Sequence, residues 1–102
     1  GGVGLAPSAN IGESAAIFEP THGSAPRYAG QDRMNPMAMM LTGAMMLRHL
    51  GEREAAARVE GAVGRVVQEG RTLTYDLARK GQPATTSQVA EAVVEAMRRD
   101  HA

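Results

Sequence analysis

The densest group of potentially reactive side chains lies in one polar stretch, FEPTHGSAPRYAGQDRMNP, at residues 18–36. It contains an imidazole, a phenol, two guanidinium groups and several hydroxyl and amide groups. A simple linker would hold mainly small and charged residues, whereas loops fixed by a rigid scaffold commonly carry function. We therefore predict a ligand-binding loop here.

Two arginine–tyrosine pairs indicate a phosphate as the ligand. Arg27 and Tyr28 are adjacent, while Tyr75 and Arg79 are four residues apart, on one side if that segment is helical. A guanidinium donates parallel hydrogen bonds to phosphate oxygens, and a phenol adds a donor or a stacking face. Each pair is equally compatible with ordinary surface chemistry, and His22 is compatible with a histidine bonded only to backbone.

Composition limits the functions open to the chain. It has 102 residues, no cysteine and a net charge of +0, with 11 basic and 11 acidic residues. A balanced charge creates no strong field toward nucleic acid or a membrane surface, and no stretch approaches the ~20 apolar residues that span a bilayer. Disulfides and thiolate metal sites are excluded, and a cytoplasmic location is expected. Because the chain starts at Gly1 within a glycine-rich run, we expect a piece of a longer protein.

Other motifs give weaker signals. The sequence has no G-x-x-x-x-G-K-[ST] motif, and GGVG at residues 1–4 lacks the preceding strand and the full fingerprint of a dinucleotide site. The methionines between Met37 and Met46 fit core packing better than a metal site.

Hydrophobic spacing and end signals predict a mostly α chain with about three helices and one or two short strands. Asn35 should cap the first helix with Pro36 as its first residue, and Thr85-x-x-Gln88 resembles a capping box. The residues before position 13 are typical of a turn-rich approach without a strand. The predicted elements are a strand at 13–18, helices at 37–50, 52–69 and from 86 or 87 onward, and a mixed segment at 71–80.

The first predicted helix is apolar on nearly all of its faces, from Met37 to Leu50. A helix of this kind is normally buried on every side. Two other helices and a short strand are too few to surround it. We therefore expect further cover from upstream residues or from another subunit.

Four motifs resemble the carboxy-terminal part of the β-decarboxylating dehydrogenases, the isocitrate/isopropylmalate dehydrogenase family, and specifically its isocitrate dehydrogenases. The resemblance covers essentially all 102 residues. It implies an α/β fold for the parent enzyme, in which residues 1–102 form an incomplete, cofactor-binding portion. The motifs are APSANIG at 6–12, FEPTHGSAPRYAGQDRMNP at 18–36, MMLRHLG at 45–51 and TYDLAR at 74–79.

The resemblance also implies roles for individual residues. The segment from His22 to Tyr28 is similar to the one that wraps the adenosine of the cofactor. Asn35 matches an asparagine that hydrogen-bonds adenine, and Glu19 matches a glutamate near the nicotinamide ribose. The full set of implied cofactor-binding residues is Glu19, Thr21, His22, Gly23, Ser24, Ala25, Pro26, Arg27, Tyr28, Asn35, Tyr75 and Arg79.

Four of these residues match contacts to the 2′-phosphate of NADP, so the resemblance favours NADP over NAD. They are Arg27, Tyr28, Tyr75 and Arg79. NAD-dependent relatives typically have Asp-Ile at the first two positions, and an aspartate would repel a phosphate. Pro20 departs from the alanine of many isocitrate dehydrogenases, and Arg27 replaces a commoner lysine with its charge kept.

No position of this chain matches the catalytic or metal-binding residues of the family. Asp32, Asp76 and Asp100 do not correspond to its metal ligands. The resemblance implies a full-length homodimer that converts isocitrate to 2-oxoglutarate, with Mg²⁺ or Mn²⁺ held by residues outside this chain. The alternatives are a piece of an isopropylmalate or tartrate dehydrogenase, and a helical interaction module that binds no nucleotide.

Calorimetric titration of the isolated chain with NADP tests the expectation that this portion is incomplete. We expect weak or undetectable binding, because half of the cofactor site is missing. Tight binding by these 102 residues would contradict that expectation.

Overall fold

Three α-helices and one two-stranded sheet form the computed structural model, which describes residues 3–79 and 81–101. The mostly helical architecture confirms the prediction. Gly1 and Gly2 of the glycine-rich start and Lys80 of the predicted mixed segment lie outside the described residues. The elements in chain order are β1 (Pro7–Ile11), β2 (Ala16–Pro20), α1 (Met37–His49), α2 (Arg53–Glu69) and α3 (Thr86–His101).

The two strands form an antiparallel hairpin whose first strand was not predicted. Pro7 lies opposite Pro20, and the Gly12 N–H donates to the Ala15 carbonyl at 2.8 Å to close the turn. The expectation of a turn-rich approach was wrong, because a proline at the first position of a strand is tolerated. The second strand begins at Ala16 rather than at residue 13, since the turn uses the residues before it.

Helix α1 begins at Met37 as predicted, but Pro36 precedes the helix rather than forming its first residue, and the Asn35 side chain still caps the first turn. Pro36 occupies the cap position, while Asn35 Oδ1 accepts a hydrogen bond from the Met37 N–H at 2.9 Å. This bond satisfies one of the N–H groups that the first turn leaves free. The helix stops where predicted, because Gly51 follows it with a φ of +89°.

Helix α1 is buried on part of its surface only within the described residues, and the further cover expected from upstream residues or another subunit stays a prediction. Met37, Ala38 and Ala44 are buried, whereas Met39 is 56% exposed and Leu50 is 65% exposed. The hairpin and α2 cover one side of the helix only. The opposite side therefore keeps its methionine side chains in solvent.

Helices α2 and α3 supply most of the core through small and β-branched residues. The predicted capping box is present in both directions: the Thr85 N–H donates to Gln88 Oε1 at 2.9 Å, and the Gln88 N–H donates to Thr85 Oγ1 at 3.1 Å. Within residues 3–79 and 81–101, none of the helices has the length and apolar character needed to cross a membrane. The buried core consists of Met37, Ala62, Val63, Val66, Val89, Val93 and Ala96.

Replacing Gln88 by alanine should lower the free energy of unfolding by about 1 kcal/mol, because the Thr85 N–H loses its acceptor. Urea denaturation followed by circular dichroism measures the change. The matched control is Gln68→Ala on the exposed side of α2, which should change stability by less than about 0.5 kcal/mol. Equal effects of the two substitutions would show that the capping box contributes nothing.

Candidate functional site

The loop between β2 and α1 turns at a strained alanine that is followed by a proline. Ala25 has a φ of 48° and a ψ of 59°, a left-handed conformation that costs a residue with a Cβ roughly 1 kcal/mol. Pro26 then opens a 3₁₀ turn over Pro26–Tyr28. The turn leaves Arg27 exposed and Tyr28 half-buried. Backbone strain of this kind is common at ligand sites.

The first half of the loop lines an open cleft of about 320 Å³. His22 Nδ1 hydrogen-bonds to the Gly23 carbonyl at 2.7 Å, so its other ring nitrogen is the acceptor of a neutral imidazole. That atom, Nε2, is buried without a hydrogen-bond partner among the described residues. A buried acceptor without a partner costs stability, and a ligand donor in the cleft would satisfy it. The cleft is lined by Glu19, Pro20, His22, Gly23, Ser24, Ala25, Met34 and Met39.

A partly buried hydrogen-bond network joins the end of the loop to the segment that precedes α3. The Asn35 side chain donates from Nδ2 to Asp76 Oδ2 at 3.2 Å and accepts from the Met37 N–H. The hydroxyl of Thr74 donates to the other oxygen of Asp76, and Thr74 is 1% exposed. These bonds connect residues 41 positions apart in sequence. They fix where Tyr75 stands relative to the loop.

The network brings the two predicted tyrosines into contact. The ring centroids of Tyr28 and Tyr75 are 5.8 Å apart in an edge-to-face arrangement, which is favourable for aromatic rings. The Arg33 guanidinium carbon lies 4.5 Å from the centroid of the Tyr28 ring and 5.1 Å from that of the Tyr75 ring. The Tyr75 hydroxyl also donates to Met34 Sδ at 3.8 Å.

The two predicted arginines, Arg27 and Arg79, are exposed. In the described part of the chain, neither Arg27 nor Arg79 has a carboxylate within 4.0 Å. Tyr75 and Arg79 do not share a helix side, because the chain makes a turn at Thr74, whose carbonyl accepts from the Ala78 N–H at 2.8 Å. The structure thus brings the tyrosines together but shows no contact between the arginines.

Sequence reasoning missed Arg33 and the two aspartates that shape the cluster. Asp32, at a φ of 56°, accepts hydrogen bonds from the Ser87 N–H at 3.0 Å and from its hydroxyl at 2.9 Å. This acceptor ties the loop to the amino terminus of α3, where a negative charge is favourable. The one available signal was local, since aspartate tolerates the left-handed region better than most residues.

The remaining predicted site residue, Thr21, is exposed, and its N–H donates to the Ala6 carbonyl at 3.0 Å. Across residues 3–79 and 81–101, histidine, aspartate and glutamate side chains form no group of three or more that could bind a metal ion.

Comparison with known proteins gives consistent matches. The sequence model of the isocitrate/isopropylmalate dehydrogenase family matches residues 1–93. The isocitrate/homoisocitrate dehydrogenase of Thermus thermophilus is 56% identical over 98 residues. The NADP isocitrate dehydrogenase of Archaeoglobus fulgidus is 46% identical over 97 residues.

The structural match agrees with the sequence matches. The crystal structure of isocitrate dehydrogenase from Methylococcus capsulatus, an α/β enzyme, superposes with a TM-score of 0.90 at 53% identity over 94% of this chain. The match covers 28% of that structure. The sequence alignments likewise cover 96% and 93% of this chain but only 28% and 23% of the two relatives. The chain therefore spans about a quarter of the length of the curated relatives that it matches.

Removing the buried hydroxyl in Thr74→Val should lower the free energy of unfolding by about 2 kcal/mol, because Asp76 loses a donor to a charged group. Urea denaturation measures the change. Thr72→Val is the matched control, since Thr72 belongs to the same segment and contributes no hydrogen bond to this network. A cost for Thr74→Val no larger than that of the control would contradict the stabilising role of the network.

Proposed function

The chain belongs to the isocitrate/isopropylmalate dehydrogenase family, and we propose that it supplies the adenosine and 2′-phosphate side of an NADP site. The full-length protein would be an NADP-dependent isocitrate dehydrogenase that oxidatively decarboxylates isocitrate to 2-oxoglutarate, acting as a cytoplasmic homodimer. Relatives named NADP isocitrate dehydrogenase, 45–48% identical to this chain, support this proposal.

The observation that carries the proposal is the cationic and aromatic cluster at the end of the loop. Tyr28 and Tyr75 are in contact, and the exposed Arg27 and Arg79 meet no carboxylate within 4.0 Å in the described ranges. Guanidinium groups that are not engaged by carboxylates remain available to a phosphate, which they bind in bidentate fashion. The 2′-phosphate of NADP can accept such bidentate hydrogen bonds, whereas the free ribose hydroxyl of NAD cannot.

The rest of the loop fits a bound nucleoside. The acceptor His22 Nε2, buried without a partner, suits an amino group such as that of adenine. Glu19 is assigned to the nicotinamide ribose, and the Asn35 side chain, occupied by Asp76 and Met37, would line the adenine through its main chain. Thr21 and the residues from Gly23 to Pro26 would form the remaining contacts of the loop with the nucleoside. When bound, NADP supplies the hydride acceptor, while these residues bind and orient it.

The catalytic groups and the metal are assigned to residues outside this chain. The carboxylates of Asp32 and Asp76 are occupied by serine, threonine and asparagine donors, so they do not fit a metal site. Mg²⁺ or Mn²⁺ would polarise a substrate carbonyl in the full-length enzyme. The role of this chain in the reaction is therefore to select and hold the cofactor.

Homoisocitrate is the second candidate substrate, because the relative from Thermus thermophilus that is 56% identical bears the name isocitrate/homoisocitrate dehydrogenase. The isopropylmalate and tartrate alternatives have less support, since position 27 is an arginine rather than the aspartate typical of isopropylmalate dehydrogenases. The helical interaction module leaves the exposed arginines and the His22 acceptor without a role.

Changing Arg27 to aspartate in the full-length enzyme should lower kcat/KM for NADP by about a hundredfold, because one charge-assisted hydrogen bond is lost and a like charge faces the phosphate. The value for NAD should remain the same or rise. Steady-state kinetics with both cofactors measures the change.

The matched control is Arg58→Asp, on the exposed side of α2, which should leave both values unchanged. A wild-type preference for NAD that Arg27→Asp does not alter would defeat the cofactor assignment.

A further inference from the structure

Arg33 has no role in the cofactor contacts assigned above, yet it is the residue that touches both tyrosines. Its guanidinium carbon lies within 4.5 Å and 5.1 Å of the centroids of the Tyr28 and Tyr75 rings. A guanidinium above an aromatic ring is attracted by the negative face of the ring, and two rings share this attraction here. We propose that Arg33 is a positioning residue that holds the two tyrosines together and adds positive charge to the 2′-phosphate end of the site.

The neighbouring carboxylates leave the guanidinium without an ion pair. Asp32, next in sequence, accepts from the Ser87 N–H and hydroxyl, and Asp76, next to Tyr75, accepts from Asn35 and Thr74. Within residues 3–79 and 81–101, no carboxylate lies within 4.0 Å of Arg33. Both of these acids are thus engaged by neutral donors.

The surroundings of Arg33 are open to a ligand. Arg33 is exposed and lines a cleft of about 270 Å³ together with Tyr75 and the loop at Gln82–Thr85. A stacked guanidinium keeps its N–H groups in the plane of the group, where they remain free to donate. The charge therefore lies near the rings of the two tyrosines whose hydroxyls are assigned to the phosphate.

The position of Arg33 depends on the backbone conformation and the hydrogen bond of the preceding residue, Asp32. Asp32 takes a left-handed backbone conformation with a φ of 56°, and its carbonyl accepts from the Thr86 N–H at 2.9 Å. At Asp32 the loop therefore contacts the start of α3 and then turns toward α1. Arg33 follows this reversal in the loop that also carries Tyr28, and its guanidinium lies near the ring of Tyr75 in the turn.

This inference rests on the proposed NADP site, and its test separates the two. In the full-length enzyme, Arg33→Met removes the charge and keeps the length of the side chain, whereas Arg33→Lys keeps the charge. We expect Arg33→Met to lower the ratio of kcat/KM for NADP to that for NAD about tenfold, with kcat preserved, and Arg33→Lys to recover the ratio to within about threefold of wild type. Arg58→Met, on exposed α2, is the matched control and should change nothing.

A second measurement reports the tyrosine positions without any cofactor. The sequence has 2 tyrosines, 1 phenylalanine, 3 histidines and no tryptophan, so all tyrosine ring signals in a nuclear magnetic resonance spectrum of the chain come from this pair. Contacts between the two tyrosine rings should be present in the wild type and weakened in Arg33→Met. Arg33→Gln, planar and neutral, replaces Arg33→Met if the latter does not fold.

The outcomes are distinct. An unchanged cofactor ratio in Arg33→Met, or unchanged ring contacts, would overturn the role of Arg33 while Arg27→Asp still lowered the use of NADP. If Arg27→Asp and Arg33→Met both left the ratio unchanged, the proposed NADP site itself would be wrong. A uniform loss with both cofactors would identify Arg33 as structural only and would also overturn the inference.

Discussion

The hydrogen-bond network around Asp76 is the constraint on which the candidate site depends. It connects Asn35, at the end of the loop, to Thr74, in the segment before α3. Without it, the loop and the turn would be held mainly by contacts at their other ends. With it, two tyrosines that are 47 positions apart in the numbering come into edge-to-face contact. Asn35 and Thr74 are buried and bond a carboxylate, so losing one member of the network is costly.

The hydrogen bonds of Asp32 and Asp76 also affect which charged groups remain available to a ligand. The loop and the turn at residues 74–79 together contain three arginines and two aspartates, and such groups can form ion pairs that neutralise one another. Here the aspartates serve as acceptors for a helix amino terminus and for an asparagine, and the arginines remain without carboxylate partners among the described residues. Structural roles for the acids therefore preserve a binding role for the bases. The structural role of the acids and the binding role of the bases both depend on how the loop, the turn at residues 74–79 and α3 are arranged.

Features decided by neighbouring residues could be predicted from the sequence, whereas features decided by distant residues could not. The capping box at Thr85 and the helix stop at Gly51 depend on a few adjacent positions, and both were located correctly. The loop predicted at residues 18–36 begins later, at Thr21, because β2 extends to Pro20. The bond from Asn35 to Asp76 and the stacking of Arg33 on Tyr75 join residues about 40 positions apart, so no local pattern indicates them. The burial of α1 likewise depends on what packs against the helix rather than on its own composition.

The central claim is that the loop and the turn at residues 74–79 together bind a 2′-phosphate. A crystal structure of the full-length enzyme with NADP tests it most directly, because it locates the phosphate oxygens. The account predicts hydrogen bonds from those oxygens to the guanidinium groups of Arg27 and Arg79 and to the hydroxyls of Tyr28 and Tyr75. A 2′-phosphate bound away from these four residues, or one extending into solvent without protein contacts, would contradict it.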